Sequence, residues 1–239
     1  MNRILGKFIR NRITIPFTPF YRQYPFKGSV SISSADSRGC VDLELGFFCN
    51  RIPKAANSTV VTTLARIKCG QGIPSKEAKK LFRTPSQLSG REVEKIPSLF
   101  TFTVVRNPYT RTLSAYLDKV ERRALRDNRR TSFREFLQSL KNGKLYSNGH
   151  WAPQSALLLL PLDQFDLIGK VESLDSVLPL IEEKVQGSPP QEHFKSFLAN
   201  ATGASTKLSA YYDAESAEMV RFLYQDDFTL FNYPDRLPL

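Results

Sequence analysis

The stretch Leu43-Glu44-Leu45-Gly46-Phe47-Phe48-Cys49-Asn50-Arg51-Ile52-Pro53-Lys54-Ala55-Ala56-Asn57-Ser58-Thr59 decides how this chain is read. Its apolar first part, Leu43 to Cys49, has the character of a strand. The run that follows, Thr59-Val60-Val61-Thr62-Thr63-Leu64-Ala65-Arg66-Ile67, is helix-like. A strand–loop–helix junction leaves unpaired backbone N–H groups and the positive end of a helix dipole aimed at one spot. A phosphate or similar oxyanion is the natural occupant. Lys54 adds a mobile charge there, and Ser58 or Thr59 a hydroxyl donor. The glycines of the pattern Gly-x-x-x-x-Gly-Lys-Ser/Thr are missing, so an ordinary NTPase is not indicated. Alone, the stretch admits two readings: an anion cradle, or a polar turn that caps a helix.

A second segment favours the cradle. Leu99-Phe100-Thr101-Phe102-Thr103-Val104-Val105 is rich in β-branched and aromatic residues and reads as a strand. It runs into Arg106-Asn107-Pro108-Tyr109-Thr110-Arg111-Thr112-Leu113-Ser114-Ala115-Tyr116-Leu117. Pro108 cannot continue a strand but suits the first turn of a helix, so the strand is expected to stop at Arg106. Arg106 then stands at the carboxyl end of a strand, the edge where open α/β sheets bind ligands. Arg111 and Ser114 share one face of the following helix. Arginine, serine and a helix start make a second anion site.

These motifs carry a resemblance. Pro53-Lys54-Ala55-Ala56-Asn57-Ser58-Thr59 resembles the 5′-phosphosulfate loop of sulfotransferases that use 3′-phosphoadenosine 5′-phosphosulfate (PAPS). Val105-Arg106-Asn107-Pro108-Tyr109, through Arg111 and Ser114-Ala115-Tyr116, is similar to their 3′-phosphate segment. His150-Trp151-Ala152-Pro153-Gln154 and Phe165-Asp166-Leu167-Ile168-Gly169-Lys170-Val171-Glu172-Ser173-Leu174 are similar to the carbohydrate sulfotransferases of the chondroitin and HNK-1 type. So are Tyr211-Tyr212-Asp213 and Tyr224-Gln225-Asp226-Asp227-Phe228. The resemblance spans roughly residues 43 to 233.

The resemblance implies transfer of a sulfuryl group from PAPS, as co-substrate, to a hydroxyl. Such chemistry depends on positioning and charge stabilisation, as phosphoryl transfer does. By this likeness Lys54 meets the charge that grows on the bridging oxygen. Ala55, Ala56, Asn57, Ser58 and Thr59 hold the 5′-phosphate, while Arg106 and Ser114 hold the 3′-phosphate. No metal is required. The acceptor hydroxyl needs a base, and His150 is the first candidate, since a neutral imidazole titrates near operating pH. Trp151 beside it either stacks on a sugar ring or packs in the core. Glu172 and Glu77 are the alternatives as base, and His193 is expected to be merely exposed.

Composition sets the frame. A chain of 239 residues, 41% hydrophobic, is long enough to bury one sizeable core. Lys and Arg number 34 against 23 acidic residues, a formal charge of +11, which suits an anionic donor and an acceptor that is a glycan, an acidic one included. Nucleic acid is not the expected partner. Cys40, Cys49 and Cys69 form no Cys-x-x-Cys pair, so neither a zinc site nor a disulfide framework is indicated. The amino-terminal segment, interrupted by Arg10 and Arg12, is too short and charged to span a bilayer. The eukaryotic members of the resembled family are Golgi enzymes held by a membrane helix, and here the sequence departs from them. A soluble cytoplasmic enzyme of bacterial type is expected, with a Golgi-lumen enzyme lacking its anchor as the alternative.

Alternating strands and helices predict an α/β fold, a P-loop-like parallel sheet flanked by helices on both faces. Residues 1–40, rich in Pro, Ser, Arg and Tyr, are expected to form an irregular arm, and 41–239 a single sulfotransferase domain. A helix is expected from Ser75 to Arg83, a loop bordering the substrate from Thr84 to Ile96, and a helix from Pro108 to Arg126. The basic run Glu121 to Arg130 is either a solvated face or an acidic-glycan contact. Ser132 caps a helix to Leu140, Phe165 to Val171 is a strand, and helices cover Leu174 to Val185 and Ala214 to Tyr224. Two other classes remain. A nucleotide-dependent kinase would need a magnesium-binding aspartate at a strand end, for which nothing before Asp166 offers itself. A non-catalytic polyanion binder would leave the paired anion loops without purpose.

Overall fold

The computed structural model of the chain describes residues 2–123, 130–188 and 203–238. Four strands form one sheet in the order β1 (Gly39–Asp42), β2 (Phe47–Asn50), β3 (Phe100–Val105) and β4 (Leu167–Lys170). β2, β3 and β4 are parallel, with Asn50 level with Thr103 and Val105 level with Lys170. The mostly parallel α/β sheet is the one expected.

The expected strand from Leu43 is half turn. β1 and β2 are an antiparallel pair, Asp42 opposite Phe47, and the residues between them form the reversal. Asp42 Oδ1 accepts from the backbone N–H of Glu44 and of Leu45, both at 3.1 Å, and Gly46 takes φ +69°. A short acidic side chain that closes on its own backbone, followed by a residue free to adopt positive φ, overrides the apolar character of Leu43 and Leu45.

Both faces of the sheet are covered. Phe47, Cys49, Phe102 and Val104 point to one side, where helix Asn57–Cys69 brings Val60, Val61 and Leu64 and helix Leu174–Gln186 brings Val177, Leu178 and Ile181. On the other side Val105 packs with Tyr109 and Leu113 of helix Pro108–Tyr116, and with Val220 and Phe228 near the carboxyl end. Phe48, also on that side, stacks on Phe20 at 5.8 Å.

Phe20 belongs to the segment expected to be irregular. That segment carries helices α1 (Asn2–Ile9), α2 (Pro19–Gln23) and α3 (Ile32–Asp36), with a π-helical turn, Arg10–Thr14, after the first. Pro19 starts a helix rather than breaking one, as its fixed φ permits at the first turn. Ile15, Phe20, Tyr21 and Ala35 are buried in the core. Asp36 secures the arm, accepting from Tyr21 Oη, Ser86 N and Ser86 Oγ.

The segment Thr84 to Ile96 is not an open border. It forms short helical turns at Pro85–Gln87 and Gly90–Val93, each with a capping box, and buries Leu88, Val93 and Ile96. The helix expected from Ser75 is confined to Ser75–Ala78. Ser132 does cap helix Phe133–Ser139, accepting from Glu135 N. A further helix, Gln225–Leu230, follows Ala214–Leu223. Part of the basic run to Arg130, and His193, lie outside the described residues.

Candidate active site

The loop between β2 and helix Asn57–Cys69 is held in an uncommon shape. Lys54 has φ +68° and Ala56 φ +50°, a region that residues with a Cβ enter at a cost of about 1–3 kcal/mol each. Ala55 between them has no positive φ. Such alternation turns successive N–H groups toward one point and makes a concavity for an anion. Ala56, the residue before the helix, has no side chain able to cap it, so the first-turn amides of Asn57, Ser58 and Thr59 receive no side-chain cap.

Two arginines hold the loop from outside. Arg111 is fully buried, and its guanidinium donates to the carbonyls of Pro53 at 3.0 Å, Ala152 at 2.8 Å and Gly149 at 3.3 Å. It therefore braces the loop against the His150 segment and is not free to receive a phosphate, contrary to its expected share in the second anion site. Arg106, just after β3, donates from Nη1 to the Lys54 carbonyl at 3.3 Å and from Nε to Thr110 Oγ1 at 2.9 Å. That uses two of its five N–H donors. Burial, followed by the nearby Arg111, lowers its pKa, while Glu172 opposes the shift. Ser114 is buried on the same helix.

The positive field around the loop is larger than Lys54 alone. Arg51, at the loop entrance, is buried and donates to Asn57 Oδ1 and to the Ser37 carbonyl. Lys79 reaches Ser58 Oγ at 3.4 Å. Arg38 and Arg51 each have a buried Nε without a hydrogen-bond partner among the described residues. Burial and then Arg51 push Arg38 down to about 10, and burial, Arg51, Arg38 and Lys119 all lower Lys79. Arg51 thus lowers both Arg38 and Lys79, and cations gathered in this way suit a bound anion. Asp118 is a carboxylate beside Lys54, 3.2 Å from Lys54 Nζ and 3.1 Å from Lys119 Nζ. It lies in a π-helical turn, Leu117–Glu121, that extends helix Pro108–Tyr116. Lys54 is lowered by burial, against which Asp118 pulls it up.

His150 is half-buried beside this field. Asn148 Oδ1 accepts from the His150 backbone N–H at 3.1 Å and stands 2.8 Å from its Nδ1. An amide oxygen can only accept, so Nδ1 carries the proton and Nε2 presents a lone pair. Burial, then Arg38, Lys119 and Lys54, push the imidazole down to about 3. His150 is thus neutral at ordinary pH and electrostatically close to Lys54. Trp151 is turned to the core: its ring meets Phe136 edge-on at 5.7 Å, and its Nε1 donates to the Lys144 carbonyl.

The two glutamates fare differently. Glu172 accepts from Asn107 N at 2.8 Å and from Tyr233 Oη at 2.8 Å, so both its oxygens are engaged in fixing the turn after β3. Glu77 is exposed on helix Ser75–Ala78. Gln154 pairs with Arg106 as a strand would, accepting from its N–H and donating to its carbonyl. Buried Asp227 in turn accepts from Gln154 N and Ser155 N.

Asp166 stands at the wrong edge for a kinase. It precedes β4 and accepts from the N–H and hydroxyl of Thr101, near the start of β3, whereas the Lys54 loop leaves the carboxyl end of β2. Among the described residues no group of three His, Cys, Asp or Glu is arranged to hold a metal ion. Sequence reading missed Arg38, Arg51, Lys79 and Asp118. Of these only Arg51, three residues before Lys54, had a positional signal.

Neither a curated protein nor a solved structure matches the chain. A model of the sulfotransferase family matches residues 40–234, and the chain belongs to that family.

Proposed function

We propose that this sulfotransferase moves a sulfuryl group from PAPS to a hydroxyl of a carbohydrate acceptor. One observation carries the reading: the strained loop at Lys54–Ala56 and Arg106 leave neighbouring parallel strands and touch, Arg106 Nη1 to Lys54 O at 3.3 Å. Two anion sites in contact suit a donor with phosphates at both ends of one nucleoside. Ala55, Ala56, Asn57, Ser58 and Thr59 hold its 5′-phosphate, and Arg106 with Ser114 its 3′-phosphate. Residues 41–239 form the catalytic unit. The setting is reducing and cytoplasmic, the reading that three cysteines without a pairing pattern favour.

In the reaction the acceptor oxygen bonds to sulfur as the bond from sulfur to the bridging oxygen breaks. His150 Nε2 takes the acceptor's proton, and Lys54 Nζ meets the negative charge left on the bridging oxygen. Adenosine 3′,5′-bisphosphate departs. The cations Arg38, Arg51 and Lys79 stabilise the donor's charge without themselves transferring anything.

The test is calorimetry with adenosine 3′,5′-bisphosphate and AMP. The bisphosphate is expected to bind far more tightly, and Arg106→Ala to weaken it at least about tenfold, since loss of a buried charged partner costs about 2–5 kcal/mol. Equal affinity of the wild type for both nucleotides overturns the donor assignment. Sulfuryl transfer to a panel of glycans and simple alcohols then identifies the acceptor class.

A further inference from the structure

Helix α1 leaves an apolar face uncovered. Ile4, Leu5 and Phe8 are 81%, 58% and 58% exposed, and Ile13 and Phe17 beyond the helix are 55% and 64% exposed. At about 3.6 residues per turn, Ile4, Leu5, Phe8 and Ile9 fall on one side of α1, with Gly6 and Lys7 on the other. Large apolar side chains clustered on a surface mark an interaction site.

The charge around this face has one sign. Residues 1–35 contain Arg3, Lys7, Arg10, Arg12, Arg22 and Lys27 and no Asp or Glu. The first carboxylate, Asp36, is buried and already bonded to Tyr21 and Ser86. An amphipathic helix with an aliphatic and aromatic face and basic flanks matches the boundary between lipid headgroups and acyl chains. No described helix is long and apolar enough to cross a membrane, so the fit is to a surface.

The face is also fixed relative to the candidate site. Asn11, in the π-helical turn after α1, accepts from Ser33 N at 2.9 Å, which ties that turn to α3. α3 leads within three residues to Gly39, and Gly39 is level with Asn50, where the donor loop begins. α1 is thus linked, through that turn and α3, to the chain that enters β1 beside Asn50.

We propose that α1 and the turn after it dock the protein onto a membrane surface rich in anionic lipid. Ile4, Leu5 and Phe8 enter the acyl boundary, and Lys7, Arg10 and Arg12 meet the phosphates. Docking this way does not depend on the identity of the donor.

The test is sedimentation of the full chain with phosphatidylcholine vesicles, with and without phosphatidylglycerol. Binding is expected to be at least about tenfold stronger to the anionic vesicles and to fall as salt is raised. The double variant L5E/F8E should lose that binding while keeping its unfolding midpoint and its affinity for the bisphosphate. R10E/R12E should lose the preference for anionic lipid. Wild-type protein that ignores both vesicles, or binds both equally, overturns the proposal. So does a dimer in solution that L5E/F8E breaks, because a second copy would then own the face. Should a variant fail to fold, the wild-type comparison of the two lipids decides alone.

Discussion

Lys54 Nζ stands 3.2 Å from Asp118 Oδ2, so the lysine proposed to meet the leaving charge already has a counter-ion at rest. The same carboxylate holds Lys119, and its other oxygen accepts from Arg122. Burial lowers the Lys54 pKa, and Asp118 opposes that shift. The carboxylate therefore keeps the ammonium charged in a site crowded with other cations.

Asp118→Asn removes that support while keeping the shape. Lys54 should then lose its proton at lower pH, with Lys119 and Arg106 still depressing it. The alkaline limb of the turnover profile is expected to move to lower pH, the direction that loss of a close opposite charge dictates. An unmoved limb in the folded variant would show that Asp118 does not set the lysine's charge.

Lys54→Ala should lower turnover by roughly 10²–10³, the usual effect of losing one donor to a developing negative charge. Affinity for the bisphosphate product, which lacks the sulfuryl group, should change less. Near-normal turnover combined with poor nucleotide binding would make Lys54 a positioning residue.

His150 gives a pH signature with a definite sign. In the free enzyme its pKa is pushed down to about 3, so it stays unprotonated until strongly acid pH. The donor's negative charges offset Lys54, Arg38 and Lys119, so binding must raise that value. The acid limb of kcat/KM, which reports the free enzyme, should thus lie well below that of kcat. His150→Ala should lose about 10²–10⁴ in turnover and keep nucleotide affinity. A folded variant with the wild-type profile and rate would assign the base elsewhere.

Arg111→Ala should be the most destabilising of these changes. It strips the Pro53, Gly149 and Ala152 carbonyls of their donor and leaves Asp227, fully buried, without its compensating charge. Each buried acceptor left unsatisfied costs about 1–3 kcal/mol. Urea unfolding measures it, and Arg111→Lys should recover only part, because an ammonium cannot span three carbonyls in the same geometry. A loss within experimental scatter would mean that the loop is braced by other contacts.

What the sequence made legible is what short-range chemistry dictates. Pro108 ends β3 at Val105 and leaves Arg106 at the strand's end, and Asn107 caps the next helix by accepting from Tyr109 N. The Ser132–Glu135 capping box is equally local. β1 was missed because Gly39-Cys40-Val41-Asp42 opens on glycine and closes on aspartate, residues that signal a turn. The arm was misread because prolines at 16, 19 and 25 hide the periodicity of residues that are nevertheless buried. Asp118 and Arg38 were invisible as site residues for another reason. Asp118 meets Lys54 across 64 positions of sequence, and no spacing rule reaches that far.

The bonds that run from Asp227 through Gln154 to Arg106 bear on the order in which the protein becomes competent during synthesis. Lys54 and Arg106 leave the ribosome early, yet the groups that fix them come late. Gln154 N needs Asp227, Glu172 needs Tyr233, and Tyr109 Oη donates to the Asp235 carbonyl. A nascent chain stalled before Tyr224 would hold every residue of the Lys54 loop and still lack its clasp. Donor binding should therefore switch on late and abruptly in translation, once the last residues close that clasp.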